Sequence, residues 1–183
     1  GLCERFSQAD ALLVAAYFNI FIRNADVLTL ANMAQLVNVL PAMVCLPGSA
    51  KFFRQSISFA QELFLANRDM TSVDIWCKSP EFEGEFYKQV PYLDFSASAN
   101  SDGSRIVVNA INRHPEKAAK LSINLLGGKI KSVSGRMLGG VALDKENSFE
   151  NPKAISIAAI SKTSRENSLP LPPASLCVFE LKA

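Results

Sequence analysis

The hydrophobic positions of the chain follow two periods, helical in the first third and strand-like in the rest. Apolar residues recur at the helical spacing over residues 9–23, where Ser7 supplies an N-cap and Asp10 an acidic first turn. This helix is apolar on nearly every face, which is typical of a helix inside a larger body. A second helical stripe covers residues 49–66. Between the helices, the apolar run at residues 27–30 predicts a buried parallel strand.

The period changes to two near residue 67. Apolar and polar residues alternate in several short segments separated by turns, which predicts a β-sandwich. The predicted strands cover residues 73–77, 93–99, 105–111, 121–125, 130–138 and 176–181. Residues 100–103, Asn-Ser-Asp-Gly, predict a hairpin turn in which Gly103 takes a positive φ. Pro170, Pro172 and Pro173 place the start of the last strand after them, and residues 162–167 are expected to form an exposed loop.

These patterns predict two unequal parts. Residues 1–66 supply helix, strand and helix, and residues 67–183 form a sandwich of ordinary domain size. A lone strand between two helices lacks ladder partners. The first part is therefore expected to be the last units of an α/β barrel or sheet whose earlier units are absent. The fold class is mainly β, with a C-terminal β-sandwich preceded by this helix-strand-helix remnant.

Composition narrows the class of partner. The 183 residues are 49% hydrophobic and 20% charged, as in a globular protein, and the net charge of +2 gives no reason to expect nucleic acid or an acidic membrane. The longest apolar run, residues 11–22, is short of the roughly 20 residues that span a bilayer. Four distant cysteines and the single His114 lack metal-ligand spacing, so we predict free, mostly buried thiols and no metal or cofactor.

The amino terminus leaves the compartment open. Residues 1–5 contain neither an initiator Met nor a basic leader, so no signal peptide is visible. We expect the natural start to lie upstream of Gly1.

Three amides, Asn32, Gln35 and Asn38, lie three residues apart in the otherwise apolar segment 31–40. One interpretation is that they satisfy neighbouring backbone groups. The other is a polar ligand site at the mouth of an apolar scaffold. Spacing alone favours the first interpretation.

Other polar and aromatic residues receive structural interpretations. Glu81, Glu83 and Glu85 form an acidic cluster in a turn-rich segment, where a solvated loop is expected. His114, followed by Pro115, is expected in a turn. Trp76, Tyr87 and Tyr92 could stack on sugar rings, but packing is the more common role of such residues.

Six segments, in the same order along the chain, resemble the α-L-arabinofuranosidases of glycoside hydrolase family 51. Each motif is weak alone, and together they span nearly the whole sequence. They are A-Q-L-V-N at 34–38, R-Q-S-I at 54–57, V-P-Y-L-D at 90–94, N-R-H-P at 112–115, N-S-F-E-N-P at 147–152 and L-P-P-A-S at 171–175.

The resemblance implies a (β/α)8 barrel that carries the active site and a β-sandwich of jelly-roll type packed against it. The implied activity is retaining hydrolysis of terminal α-L-arabinofuranosyl groups from arabinan or arabinoxylan. The family's two catalytic glutamates lie in motifs that do not occur here, so the pair is expected before Gly1 and no catalytic residue is assigned. The chain alone is then expected to be inactive.

The resemblance also implies one site residue. Gln35 matches the family's glutamine that contacts the arabinose ring at the C-terminal end of the last barrel strand, where such active sites form. Asn32 and Asn38 are assigned to loop support. The implied partners are the arabinofuranosyl polysaccharide or oligosaccharide, the missing barrel and further copies in a homo-oligomer. The alternatives are a non-catalytic carbohydrate-binding or assembly module, or a purely structural domain.

Overall fold

The computed structural model describes residues 4–160 and 168–183, so the predicted exposed loop at residues 162–167 lies outside the described residues. Helix α1 spans Gln8–Arg23 and helix α2 spans Ser56–Phe64, with a 3-10 turn at Leu65–Asn67. The described strands are β1 (Met43–Cys45), β2 (Phe52–Arg54), β3 (Thr71–Val73), β4 (Glu81–Phe82), β5 (Val90–Pro91), β6 (Leu93–Ala99), β7 (Arg105–Asn112), β8 (Ala119–Ser122), β9 (Ser132–Leu138), β10 (Ile157–Ile160), β11 (Ser168–Leu171) and β12 (Ser175–Lys182).

One antiparallel sheet of six strands organises the fold. Its order is β10-β9-β12-β7-β6-β3, and the remaining strands form the pairs β1-β2, β4-β5 and β8-β11. The hairpin between β6 and β7 has the predicted turn, with Gly103 at φ +70°. Pro170 lies in β11, whose described partner is β8 alone, so it interrupts no central ladder. The predicted mainly β fold is confirmed.

Both faces of the six-stranded sheet are covered. Val107 and Ile111 of β7 belong to the core beneath α1 and α2, whereas Val108 and Ala110 belong to the core beneath β8 and β11. Successive side chains of a strand point to opposite faces, so this alternation places β7 between two apolar layers. The helices therefore form an outer layer of the sheet and share its core.

Helix α1 begins where the sequence predicts. Ser7 is the N-cap, the Asp10 backbone N–H donates to Ser7 Oγ at 3.4 Å, and the Ser7 backbone N–H donates to Asp10 Oδ2 at 2.7 Å. This reciprocal pair satisfies two backbone donors that the first turn leaves without helical partners.

A chain of buried polar groups connects α1 to the sheet. Ser96 Oγ donates to Asn19 Oδ1 at 2.6 Å, and Asn109 Nδ2 donates to Ser96 Oγ and to Asn67 Oδ1, each at 3.0 Å. Asn19, Ser96 and Asn109 are fully buried. Each buried amide or hydroxyl needs such partners, so the network favours one placement of the helix over the strands.

The expected strand at residues 27–30 is wrong. These residues follow α1 as irregular chain, with Val27 78% and Leu30 73% exposed. A buried strand requires neighbouring strands on both sides, and the described residues supply none there. The boundary between domains near residue 67 stays a prediction.

Other elements also differ from the sequence pattern, among them the following. Helix α2 starts at Ser56 because residues 52–54 pair with β1 as a hairpin. The strand predicted at 73–77 ends at Val73, which leaves Cys77 exposed rather than buried. Residues 157–160, in a stretch of weak pattern, form β10 at the sheet edge.

Neither helix in the described part of the chain is long and apolar enough to cross a membrane. Among the same residues, no cluster of three His, Cys, Asp or Glu side chains has the arrangement of a metal site.

The shared core predicts that a change in α2 affects the stability of the sheet. Leu63 is fully buried against the sheet, whereas Leu65 is 66% exposed. We expect Leu63→Ala to lower the free energy of unfolding by about 2–5 kcal/mol and Leu65→Ala by less than about 0.5 kcal/mol. Urea unfolding followed by far-UV circular dichroism measures both. If the strands unfold at the same urea concentration in Leu63→Ala and the parent chain, the shared core is disproved.

A second prediction concerns Cys177, a fully buried residue of β12. Burial raises the pKa of its thiol from 9.0 to about 11, with a smaller opposing effect from the Ser175 hydrogen bond. The folded state then binds this proton more tightly than the unfolded state. The resulting stability is present below pH about 9 and is lost as the pH rises toward 11.

We therefore expect the free energy of unfolding to fall by about 2 kcal/mol between pH 8.5 and pH 10.5 because of this thiol, an estimate from the shift in pKa. The measurement is the urea unfolding free energy of the parent chain and of Cys177→Ala across this range. The difference between the two should change with pH. A constant difference would show that Cys177 is not the titrating group.

Candidate functional site

The segment with the three amides connects α1 to β1 without a helix or strand of its own. Asn32 and Gln35 are exposed, and Asn38 is half-buried. The peptide bond between Ala34 and Gln35 is cis. We call residues 31–40 the amide loop.

Asn38 closes the base of the amide loop. Its Oδ1 accepts from the Cys45 backbone N–H at 2.8 Å, and its own backbone N–H donates to Met43 O at 3.1 Å. The Met43 backbone N–H in turn donates to Leu36 O at 3.0 Å. Asn38 has φ +48°, a left-handed conformation that asparagine adopts more readily than most residues. The contacts are of the kind that the predicted loop-support role requires.

Among the described residues, no hydrogen bond joins the three amides to one another. Within the described residues, the side chains of Asn32 and Gln35 make no hydrogen bond. The nearby Met33 accepts one at Sδ from Gln61 Nε2 of α2, at 2.9 Å. Gln35 therefore stands on a loop with its amide directed to no described partner, and its assignment to sugar binding stays a prediction.

Gln55 fixes the amide loop to the body of the protein. Its Oε1 accepts from the Phe6 backbone N–H at 2.8 Å, and its Nε2 donates to Glu4 O at 2.9 Å and to Pro41 O at 3.0 Å. The side chain is almost fully buried. Pro41 directly follows the loop, so Gln55 holds the loop's end against the chain that enters α1.

A second buried amide, Asn147, joins the same region to the loop before β10. Its Nδ2 donates to Arg54 O at 2.9 Å and to Ile155 O at 3.0 Å, and its Oδ1 accepts from the Ile155 backbone N–H at 2.7 Å. The R-Q-S-I and N-S-F-E-N-P segments, which are distant in sequence, thus meet in space.

Sequence reasoning missed the anchoring roles of Gln55 and Asn147. One available signal was that Gln55 lies between the apolar residues Phe53 and Ile57, where a buried amide must find several hydrogen-bond partners. No sequence signal indicated that Asn147 would be one of the groups beside it.

The remaining candidates lie apart from the amide loop. Glu81, Glu83 and Glu85 are exposed, in agreement with a solvated segment. His114 stacks on Tyr92 with ring centroids 4.5 Å apart, and its Nδ1 accepts from the backbone N–H groups of Glu116 and Lys117, each at 3.1 Å. These contacts fit the predicted turn.

Packing is the wrong interpretation for two of the aromatic residues. Trp76 is 88% and Tyr87 75% exposed, whereas Tyr92 packs against Phe82 and His114 as predicted. The chain leaves the sheet after Val73, so Trp76 lacks the neighbouring strand that would cover it.

Solved structures with the same fold include family 51 α-L-arabinofuranosidases. The structure from Thermotoga petrophila RKU-1 matches with a TM-score of 0.88 and 23% identity, over 99% of this chain and 40% of that chain. The structure from Xanthomonas axonopodis pv. citri matches with a TM-score of 0.87 and 24% identity, over 99% of this chain and 37% of that chain. Identities at this level show a shared fold.

The family follows from the sequence match. The model of the α-L-arabinofuranosidase C-terminal domain matches residues 1–175, and the chain belongs to this family. This membership favours the arabinofuranosidase interpretation over a carbohydrate-binding or assembly module.

The relatives are considerably longer proteins. The intracellular exo-α-L-arabinofuranosidase of Bacteroides ovatus is 27% identical over 186 residues, which cover 99% of this chain and 35% of the relative. The probable α-L-arabinofuranosidase C of Aspergillus flavus is 32% identical over 138 residues, which cover 71% of this chain and 27% of the relative. The chain thus spans about a third of the length of the curated relatives it matches.

The geometry of Asn38 generates a prediction. Asn38→Ala removes the acceptor of the Cys45 backbone N–H and places alanine at a positive φ, so we expect faster hydrogen exchange at the Cys45 amide by about tenfold. Asn38→Asp keeps an acceptor oxygen and should retain most of the protection. Amide exchange followed by NMR compares the two variants with the parent chain. Equal protection at Cys45 in all three would exclude the proposed support.

Proposed function

We propose that this chain is the C-terminal part of a retaining α-L-arabinofuranosidase that removes terminal α-L-arabinofuranosyl groups from arabinan or arabinoxylan. The observation that carries the proposal is the family match over residues 1–175. The parent protein is a glycoside hydrolase, and this chain by itself is inactive. The complete enzyme acts on the arabinofuranosyl-bearing polysaccharide or oligosaccharide and can form a homo-oligomer.

The proposed partner of this chain is the rest of a (β/α)8 barrel, with residues 1–66 as its last units and residues 67–183 as the sandwich. Support comes from an apolar row on α1, where Leu13, Tyr17 and Ile20 are 58%, 52% and 44% exposed. These residues are spaced four and three apart and so share one helix face. A contiguous apolar surface of this kind marks a site of interaction.

The irregular chain after α1 extends the same argument. Val27, Leu30 and Leu36 are 78%, 73% and 63% exposed. A neighbouring barrel would cover these apolar side chains.

Gln35 is the proposed sugar-contacting residue. Its amide offers two donors and an acceptor, which suits the hydroxyl groups of an arabinofuranosyl ring. In a complete barrel it would lie at the C-terminal end of the last strand, where barrel active sites form. Asn38, through its bond to Cys45, and Asn32 are proposed to support the loop that presents it.

The chemistry itself is assigned to the barrel. Retention of configuration requires two carboxyl groups about 5 Å apart. One attacks the anomeric carbon to form a glycosyl-enzyme, and the other protonates the leaving oxygen and then deprotonates the incoming water. This chain contributes substrate orientation through Gln35 and no catalytic carboxylate.

The first test compares the purified chain with a complete enzyme in which this chain is joined to its proposed barrel. We expect no release of 4-nitrophenol from 4-nitrophenyl α-L-arabinofuranoside by the purified chain, because the carboxyl pair is absent. The combined enzyme should release it. Hydrolysis by the purified chain at a rate above a buffer control would contradict the assignment of chemistry to the barrel.

The second test addresses Gln35 in the combined enzyme. Gln35→Ala removes hydrogen bonds to the sugar, and we expect kcat/KM to fall by about 10–100-fold, which corresponds to roughly 1.5–3 kcal/mol. The control is Asn124→Ala, which removes an exposed amide beyond β8 and should change kcat/KM by less than twofold. Equal kcat/KM for Gln35→Ala and the control would exclude Gln35 from the site.

A further inference from the structure

The β1-β2 hairpin lies between the amide loop and the loop before β10, residues 139–156. Met43 of β1 pairs with Arg54 of β2. One residue along the ladder, the Gln55 backbone N–H donates to Ala42 O at 2.9 Å. Ladder bonds alternate in an antiparallel pair, so the backbone groups of Met43 and Arg54 point away from each other. Each outer edge of the hairpin therefore offers backbone groups to a neighbouring segment.

The amide loop occupies one outer edge of the hairpin. The Met43 backbone N–H donates to Leu36 O at 3.0 Å, and Met43 O accepts from the Asn38 backbone N–H at 3.1 Å. Val37, between these two residues, forms a parallel bridge with Met43. Gln35 directly precedes Leu36, and no hydrogen bond of its side chain is described. The position of Gln35 therefore follows from the bonds that Met43 makes to the residues after it.

Asn147 occupies the other outer edge. Its Nδ2 donates to Arg54 O at 2.9 Å, and the residue is only 2% exposed. Two further bonds, to the backbone of Ile155, hold the same side chain within the loop before β10. Phe53, next to Arg54, is 4% exposed and meets Phe149 of this loop edge to face, with ring centroids 4.9 Å apart. The loop before β10 thus fixes β2 through a backbone bond and a packed ring.

We infer that Asn147 is a positioning residue for the sugar-binding role proposed for Gln35. Asn147 holds Arg54, which pairs with Met43 across the hairpin. Met43 in turn holds Leu36, the residue next to Gln35. The inference rests on the proposed function, because the placement of Gln35 affects catalysis only if its amide binds the sugar.

The small size of the hairpin makes its position depend on these neighbours. Each of its strands has three residues, and a two-stranded hairpin is marginally stable by itself. Without the Asn147 side chain, Arg54 O loses this donor and the hairpin loses one of the contacts that fix it. We expect the amide loop to open more often as a result, which lowers the fraction of molecules that hold Gln35 in place.

The first test is amide hydrogen exchange by NMR on the full 183-residue chain. Asn147→Ala should speed exchange at the Asn38 and Met43 amides by about tenfold. The matched control is Asn112→Ala, which removes another buried asparagine, one that bonds to Leu171 O and Pro172 O instead of the hairpin. Unchanged exchange at both amides in Asn147→Ala, or an equal increase in the control, overturns the inference.

A second measurement needs no variant. The Ile155 backbone N–H donates to Asn147 Oδ1, and the Met43 backbone N–H donates to the amide loop. If Asn147 connects the two segments, these two amides of the parent chain should open together and share one dependence of exchange on urea. Different urea dependences at Ile155 and Met43 contradict the connection.

The third test is steady-state hydrolysis of 4-nitrophenyl α-L-arabinofuranoside by the complete enzyme in which this chain is joined to its proposed barrel. We expect Asn147→Ala to raise KM and to lower kcat/KM by about 3–10-fold, and Asn112→Ala to change kcat/KM by less than about twofold. A purely structural loss would reduce the amount of active enzyme, which lowers the apparent kcat and leaves KM unchanged. That pattern in Asn147→Ala would overturn the positioning role.

A double-mutant cycle in the same enzyme identifies the route of the effect. If Asn147 acts through Gln35, adding Asn147→Ala to Gln35→Ala should change kcat/KM by less than about twofold. An equal loss in both backgrounds contradicts action through Gln35. If Gln35→Ala by itself has no effect, the proposed sugar site is wrong, and the exchange data alone decide whether Asn147 holds the amide loop.

Discussion

The packing of α1 and α2 on one face of the six-stranded sheet is the contact on which the rest of the structure depends. Strands β7 and β12 contribute apolar side chains to both faces, so neither face can be left to water. Strands β8 and β11 cover one face, and the helices cover the other. The buried network around Asn19 and Asn109 then selects a single placement of α1, because any shift would leave amides without partners.

Two buried amides connect the packed core to loops at the surface. Gln55, at the start of α2, bonds to the chain before α1 and to Pro41 at the end of the amide loop. Asn147 ties the neighbouring Arg54 to the loop before β10. The position of the amide loop is therefore set by the same core, although the loop lies at the surface.

In the proposed sugar site, the amide loop presents one binding residue, Gln35, but supplies no catalytic carboxyl group. The base of the amide loop is closed by Asn38, whereas Gln35 extends beyond it into solvent. A single amide can orient a sugar but cannot cleave a glycosidic bond, which requires two carboxyl groups. In the proposed assembly, the exposed apolar residues of α1 and of the chain after it form the surface that the barrel would cover.

The sequence by itself determined the local features and the family. Helix α1 with its Ser7 cap, the β6-β7 hairpin with its Gly103 turn and strand β12 follow from periodicity and turn chemistry, which act over a few residues. Its six motifs indicated the resemblance that the family match confirms. Only the tertiary structure decided whether residues 27–30 form a strand, where α2 begins, that Trp76 is exposed, and that Gln55 and Asn147 meet beside Arg54. These features depend on partners distant in sequence: a strand exists only if another pairs with it, and a buried amide is stable only where folding delivers its hydrogen-bond partners.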